Sequence, residues 1–246
     1  MALTTEQVAG MSTAQISLGL TTAQVSVIET RDIAAMTTDQ IVALSAVQVK
    51  ALTTAQVAQG LSTAHFAAME TRDLIGLSTD QLRAITTAQI SQGLSPSQFA
   101  ALTATQVPAL TTQQVNMGLT TNQVAAMTIT QTKALTTAQI SQGLSTSQIA
   151  VITTADFAVL TTSQLAALTT TQVRQGLTAD QLVALTVTQV KALTTAQVSQ
   201  GLSTTQVGAL ELIDFASMSS AQIASLTTAQ INQGLSQDQV AIMSKE

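Results

Sequence analysis

A large aliphatic residue returns thirty times between Leu3 and Met243, always Leu, Ile or Met, at intervals of eight residues except for eight intervals of nine. No other feature constrains the fold as tightly. The unit it opens reads L-[T/S]-x-x-Q-[V/I/L/F]-x-A. In the 29 complete units the second position is Thr or Ser 26 times, and the fifth is Gln 24 times, Asp four times and His once. A rule kept so strictly reflects a physical requirement. Thr or Ser followed three residues later by Gln is a capping box, in which the hydroxyl takes the N3 amide and the Gln side chain reaches back to the N-cap amide. The aliphatic residue before the cap and the one at position six are then the two halves of a hydrophobic staple. Each octad thus encodes its own helix start. Pro96, one residue after the capping Ser95 in "LSPSQF", stands at the first helical position, where proline fits best.

About six residues remain for each helix, one and a half turns or about 9 Å, far too short to persist alone. Pro108, at the fifth helical position of "LTATQVPAL", agrees with very short or partly 3₁₀ segments. Two rival readings fail. In a continuous α-helix each Leu would be rotated by about 108° from the last, leaving no apolar stripe. A strand needs alternation with period two, which "LTTAQVAAL"-like octads lack, and their Ala and Gln disfavour it. The expected fold class is all-α, a solenoid of very short capped helices, with residues 1–246 forming a single repeat domain cut from a longer array and Met1 serving as its start codon.

The eight nine-residue intervals all end in glycine: Gly19, Gly60, Gly93, Gly118, Gly143, Gly176, Gly201 and Gly234. Glycine just past a helix is the usual left-handed terminator. The reading is that each glycine turns a distinctive corner and closes one coil. Their spacings of 41, 33, 25, 25, 33, 25 and 33 residues then give coils of three to five units, and seven coils make a rod of roughly 60–70 Å. Asp32, Asp73, Asp156 and Asp214 each lie two units after a glycine-bearing unit, and Lys50, Arg83, Lys133 and Lys191 each lie one unit before. Both sets are therefore expected to stack in columns. Glu never takes position five, although a capping box accepts it equally. The glutamines are accordingly expected to be partly buried and to bond between coils, where a stacked charge would be costly.

Composition bounds function by exclusion. Charged residues are 9% of the chain and the net charge is −5, which leaves no clustered Lys and Arg for nucleic acid. No run approaches the roughly 18 apolar residues of a membrane span, and no signal peptide opens the chain. Cysteine is absent, which rules out disulfides and thiolate metal sites. No nucleophile stands beside a base, and no glycine-rich phosphate loop occurs. The chain is read as a non-enzyme without catalytic, cofactor-binding or metal-binding residues.

The chemistry that remains is sparse. "ETRD" at 29–32 and 70–73 and "ELID" at 211–214 pair Glu29 with Asp32, Glu70 with Asp73 and Glu211 with Asp214. A divalent cation held between carboxylates is the sharper reading; acidic residues favoured by a helix N-terminus are the plainer one. His65 replaces Gln in "LSTAHF" and is expected to cap in its place. Phe66, Phe99, Phe157 and Phe215 at position six are expected in the core, as are the six Met at the Leu position, and Lys50, Arg83, Lys133 and Lys191 on a solvated face.

"LTTAQV" and "LTTAQI" resemble the Thr/Gln/Ala-rich tracts of very large bacterial surface and adhesin-like proteins, along the whole chain. That resemblance implies a stalk or passenger segment outside the cell. "LTxxQV" also resembles the opening of the DNA-reading repeats of plant-pathogen effectors, but those have two longer helices, a fixed length and a paired variable position, none of which occurs here. The functional expectation is a rod-like spacer or stalk of a secreted or cell-surface protein. The alternatives are a head-to-tail self-assembling fibre or protein-binding module, and, more remotely, ice binding by repeated Thr. The expected partner is the chain itself, with neither nucleic acid nor membrane insertion.

Overall fold

The computed structural model describes residues 4–243; Leu3, the first repeat residue, lies outside them together with Met1. Every element among the described residues is helical and short, with α-helices of five to seven residues. The chain is thus an all-α solenoid of capped octads. Its contacts divide it into two compact units, residues 1–126 and 127–246, both built in the same way.

Each octad begins as the sequence implies. In the helix Thr79–Ala84, Gln81 N–H donates to Ser78 Oγ at 3.2 Å, and Ser78 N–H donates to Gln81 Oε1 at 2.7 Å. The same reciprocal pair opens Thr121–Ala125 in the first unit and Thr162–Ala166 in the second. Pro96 is the first residue of its helix, and Pro108 sits inside a single 3₁₀ turn, Val107–Ala109. The aliphatic residues that open the octads are buried from Met36 to Leu226, and those at position six from Val8 to Phe215; the exception there, Thr132, is buried as well. Each buried Leu or Val contributes about 1.5–3 kcal/mol. One octad offers too few to hold itself, so the helices are stable only when stacked.

The glycines depart from expectation. No glycine or other residue among those described has a positive φ, so the left-handed corner is absent. The extra residue is instead taken up inside the helix. Seven of the eight glycines close π-helical segments, such as Gln56–Gly60 and Gln89–Gly93 in the first unit and Gln197–Gly201 in the second; Gly176 closes the seven-residue helix Thr170–Gly176. In an eight-residue unit the next Leu amide bonds three residues back, as Leu44 N–H does to Ile41 O at 3.1 Å. In a nine-residue unit it bonds five back, as Leu61 N–H does to Gln56 O at 3.0 Å. The following residue is extended in both kinds, with φ −64° and ψ 134° at Leu77 and φ −80° and ψ 125° at Leu61. The chain therefore leaves a wide turn in the same direction as a narrow one. Glycine is needed for a different reason. A Cβ on Gly60 would lie 2.9 Å from Ile33 Cβ, and one on Gly93 would lie 2.8 Å from Phe66 Cβ and 3.0 Å from Thr63 O. The wide turn bulges onto the neighbouring coil, and only a bare backbone fits.

Nor does each glycine mark one coil. The coil length is fixed by hydrogen bonds, described next, and is constant within each unit while the glycine spacing varies. In consequence the aspartates do not stack one coil apart: Asp32 and Asp73 are 41 residues apart, well over one coil.

Candidate functional site

Position-five glutamines build the feature with the most chemistry. The Oε1 of each accepts from its own N-cap amide, which leaves Nε2 pointing away from the helix. From Gln40 to Gln123 in the first unit, and from Gln164 to Gln239 in the second, every such Nε2 donates to backbone carbonyls of the preceding coil. Gln114, for example, reaches Leu82 O at 2.8 Å and Ile85 O at 2.6 Å. Gln230 reaches Val198 O and Leu202 O, both at 2.7 Å. These glutamines are buried, Gln123 and Gln181 to 1% exposure. A side chain that is both cap and rung explains why Glu is excluded. It could cap, but it would set a charged oxygen against two carbonyl oxygens.

The rungs measure the coil. From the glutamine to the Leu-position carbonyl it meets is always 28 or 29 residues: 29 for Gln81 to Leu52, 28 for Gln89 to Leu61, 28 for Gln172 to Leu144 and 29 for Gln239 to Leu210. One lap is therefore between three and four octads. Each rung straddles the joint between the octads four and three earlier. The helices packed against one another are three octads apart, as Thr30–Ala35 on Gln56–Gly60 and Thr146–Ala150 on Thr170–Gly176.

His65 serves as a rung. It is 4% exposed, its Nδ1 accepts from Ser62 N–H at 3.1 Å, and its Nε2 stands 2.9 Å from Met36 O. Only the tautomer protonated at Nε2 satisfies both neighbours. Burial pushes its pKa below the usual histidine range, with the bond to Met36 O pulling the other way.

The aspartates break the ladder. Asp73 is fully buried, and neither carboxylate oxygen has a hydrogen-bond partner. Burial pushes its carboxyl above the usual range; the Arg72 guanidinium opposes this and Glu70 adds to it. Arg72 Nε lies 3.0 Å from Glu70 Oε2 and 3.5 Å from Asp73 Oδ1, and Arg31 Nε lies 2.9 Å from Glu29 Oε2 and 3.6 Å from Asp32 Oδ1. In both "ETRD" segments an arginine already fills the place between the carboxylates that a metal ion would take. Thr5 Oγ1 donates to Asp32 Oδ1 as well. "ELID" has no such cation: Leu212 and Ile213 are exposed, and burial followed by the charge of Glu211 pushes Asp214 upward. Glu29, Glu70 and Glu211 make no side-chain cap bond, so their contribution at the helix start is electrostatic. Among the described residues no group of three or more His, Asp or Glu could hold a metal. The four phenylalanines are core, at 0–1% exposure, while Lys50, Arg83, Lys133 and Lys191 are exposed.

Sequence and structure together define a helical repeat protein whose polar side chains serve its own backbone. Four stretches, residues 25–63, 66–104, 149–187 and 207–245, match the ALTTAQ repeat. These cover more than half of the chain, which belongs to the ALTTAQ repeat family. No curated protein matches it. No helix among the described residues is long and apolar enough to cross a membrane.

Proposed function

We propose that this structural repeat chain acts as a spacer, a stalk segment of a secreted or cell-surface protein, with no catalytic activity of its own. The observation that supports this reading is the amide ladder. The most abundant side chain with recognition chemistry, glutamine, is consumed by caps and rungs, and the cap hydroxyls are consumed with it. The outward residues are mainly Thr, Ala and Ser with few charges, a surface suited to separating other things. The resemblance of "LTTAQV" to tracts of bacterial surface proteins supports the location.

Two measurements test the reading. Fluorophore-labelled domains fused to either end, in variants with added or deleted octads, should separate in proportion to the number of octads by single-molecule energy transfer; a distance independent of octad number would end the spacer reading. Antibody labelling of intact cells of the source organism should succeed without permeabilisation; labelling only after permeabilisation would end the surface assignment.

A further inference from the structure

We propose that the first lap of this chain docks onto the last lap of a second copy, extending the amide ladder across the junction. Three observations at the first lap carry this. Gln7, Gln15 and Gln24 cap their own helices through Oε1, but among the described residues their Nε2 groups donate to nothing. Met11, Leu20 and Ile28 are only half-buried, whereas the equivalent residues from Met36 to Leu226 are buried. A Cβ on Gly19 would meet nothing within 4 Å, whereas Gly60 and Gly93 press against the coil beneath.

The last lap is the complement. Met218 O, Leu226 O and Leu235 O stand where each earlier lap presents its rung acceptors, and no hydrogen bond reaches them among the described residues. Here the exposed apolar residues are those at position six: Ile231 is 40% and Val240 48% exposed, where the interior counterpart Ile90 is 1%. One end thus offers amide donors with Leu-position side chains; the other offers carbonyls with position-six side chains. These are the two surfaces that meet inside every lap.

The register also agrees. The donors at 7, 15 and 24 are spaced by eight and nine residues, as are the acceptors at 218, 226 and 235. Adding the usual rung step of 29 to each acceptor gives 247, 255 and 264, and subtracting the donor numbers gives 240 three times. A single offset therefore satisfies all three rungs. It sets Gly19 of one copy over Ile231 of the other, as Gly118 sits on Ile90 within the chain, where a Cβ would be 3.3 Å from Ile90 Cδ1. At that offset Thr4 of one copy follows directly after Met243 of the other, so the described residues do not overlap.

The test is sedimentation velocity of the full chain from about 1 µM to about 1 mM, with three variants. The wild type should associate with rising concentration. The triple variant Gln7→Glu, Gln15→Glu, Gln24→Glu keeps the oxygen that caps each helix but replaces each outward donor with an acceptor. It should keep the wild-type circular dichroism and bind at least about tenfold more weakly. Gly19→Val should leave the monomer equally stable and lose association by a similar factor. For orientation, Gly19→Cys and Ile231→Cys chains should cross-link under oxidation when mixed. A wild type that stays monomeric throughout, a triple variant that associates as tightly as wild type, or a Gly19→Cys chain that cross-links as well alone as in the mixture would each overturn the proposal. None of these results bears on the spacer reading.

Discussion

Two neighbouring octads, 61–68 and 69–76, both lack the position-five glutamine, and they fare differently. In the first, His65 accepts from the N-cap amide on one side of its ring and meets Met36 O on the other. In the second, Asp73 has no hydrogen bond at either oxygen, and among the described residues none reaches Leu44 O, 29 residues earlier, where the rung should land. Both side chains are buried. Polarity alone is therefore not what the position requires. It requires a side chain that accepts at its own helix start and donates one coil away, long enough to span both. Glutamine and neutral histidine meet that requirement; aspartate is too short and has no donor.

The largest test of this comparison is Gln114→Glu, which keeps the cap and turns a rung of 2.6 and 2.8 Å into a buried charge against carbonyls. A loss of about 3–5 kcal/mol is expected in urea denaturation; a near-neutral result would mean that the rungs hold little. Next comes Gly93→Ala, whose Cβ would stand 2.8 Å from Phe66 Cβ in the His65 octad. A loss of about 1–3 kcal/mol is expected, whereas Gly19→Ala, in open space, should change stability by no more than about 0.5 kcal/mol.

Asp73→Gln should restore the missing rung and raise stability at pH 7 by about 1–2 kcal/mol. Because the folded carboxyl is pushed up, wild-type Asp73 weighs least on the fold below its ordinary value of 3.8 and more as pH rises through the folded pKa. The advantage of the variant should therefore shrink on acidification; a constant advantage from pH 7 to pH 3 would contradict the assignment. The smallest effect is His65→Gln, expected to stay within about 1 kcal/mol of wild type at pH 7. The folded imidazole is pushed down, so its contribution is present above 6.5 and lost as pH falls through the folded pKa, when Nδ1 gains a proton and can no longer accept from Ser62. Wild type should lose melting temperature below that window by an amount that the variant does not share.

The caps, the staple, the single-turn helices and the buried glutamines were all legible in the octad, because each is set by residues three or four apart. The lap was not. Whether Gln81 finds Leu52 or some other carbonyl depends on the angle between successive short helices, which no spacing in the sequence encodes. Gly60 misled for the same reason. Its place at the end of a helix suggests a left-handed cap, but the constraint comes from Ile33, 27 residues away in sequence and under the wide turn in space. Asp73 was read as a possible metal ligand from its pairing with Glu70; Arg72, two residues after the glutamate, was the visible signal that the charge is already met.

Because one lap is not a whole number of octads, no octad occupies a privileged corner. Each lies across a seam in the layer beneath, as bricks do in a bonded wall. A chain of this kind can gain or lose a single octad by duplication or deletion, shifting everything beyond it around the axis while each glutamine still finds a joint to bridge. Glycine spacings of 25, 33 and 41, which differ by eight, are the marks such slippage would leave.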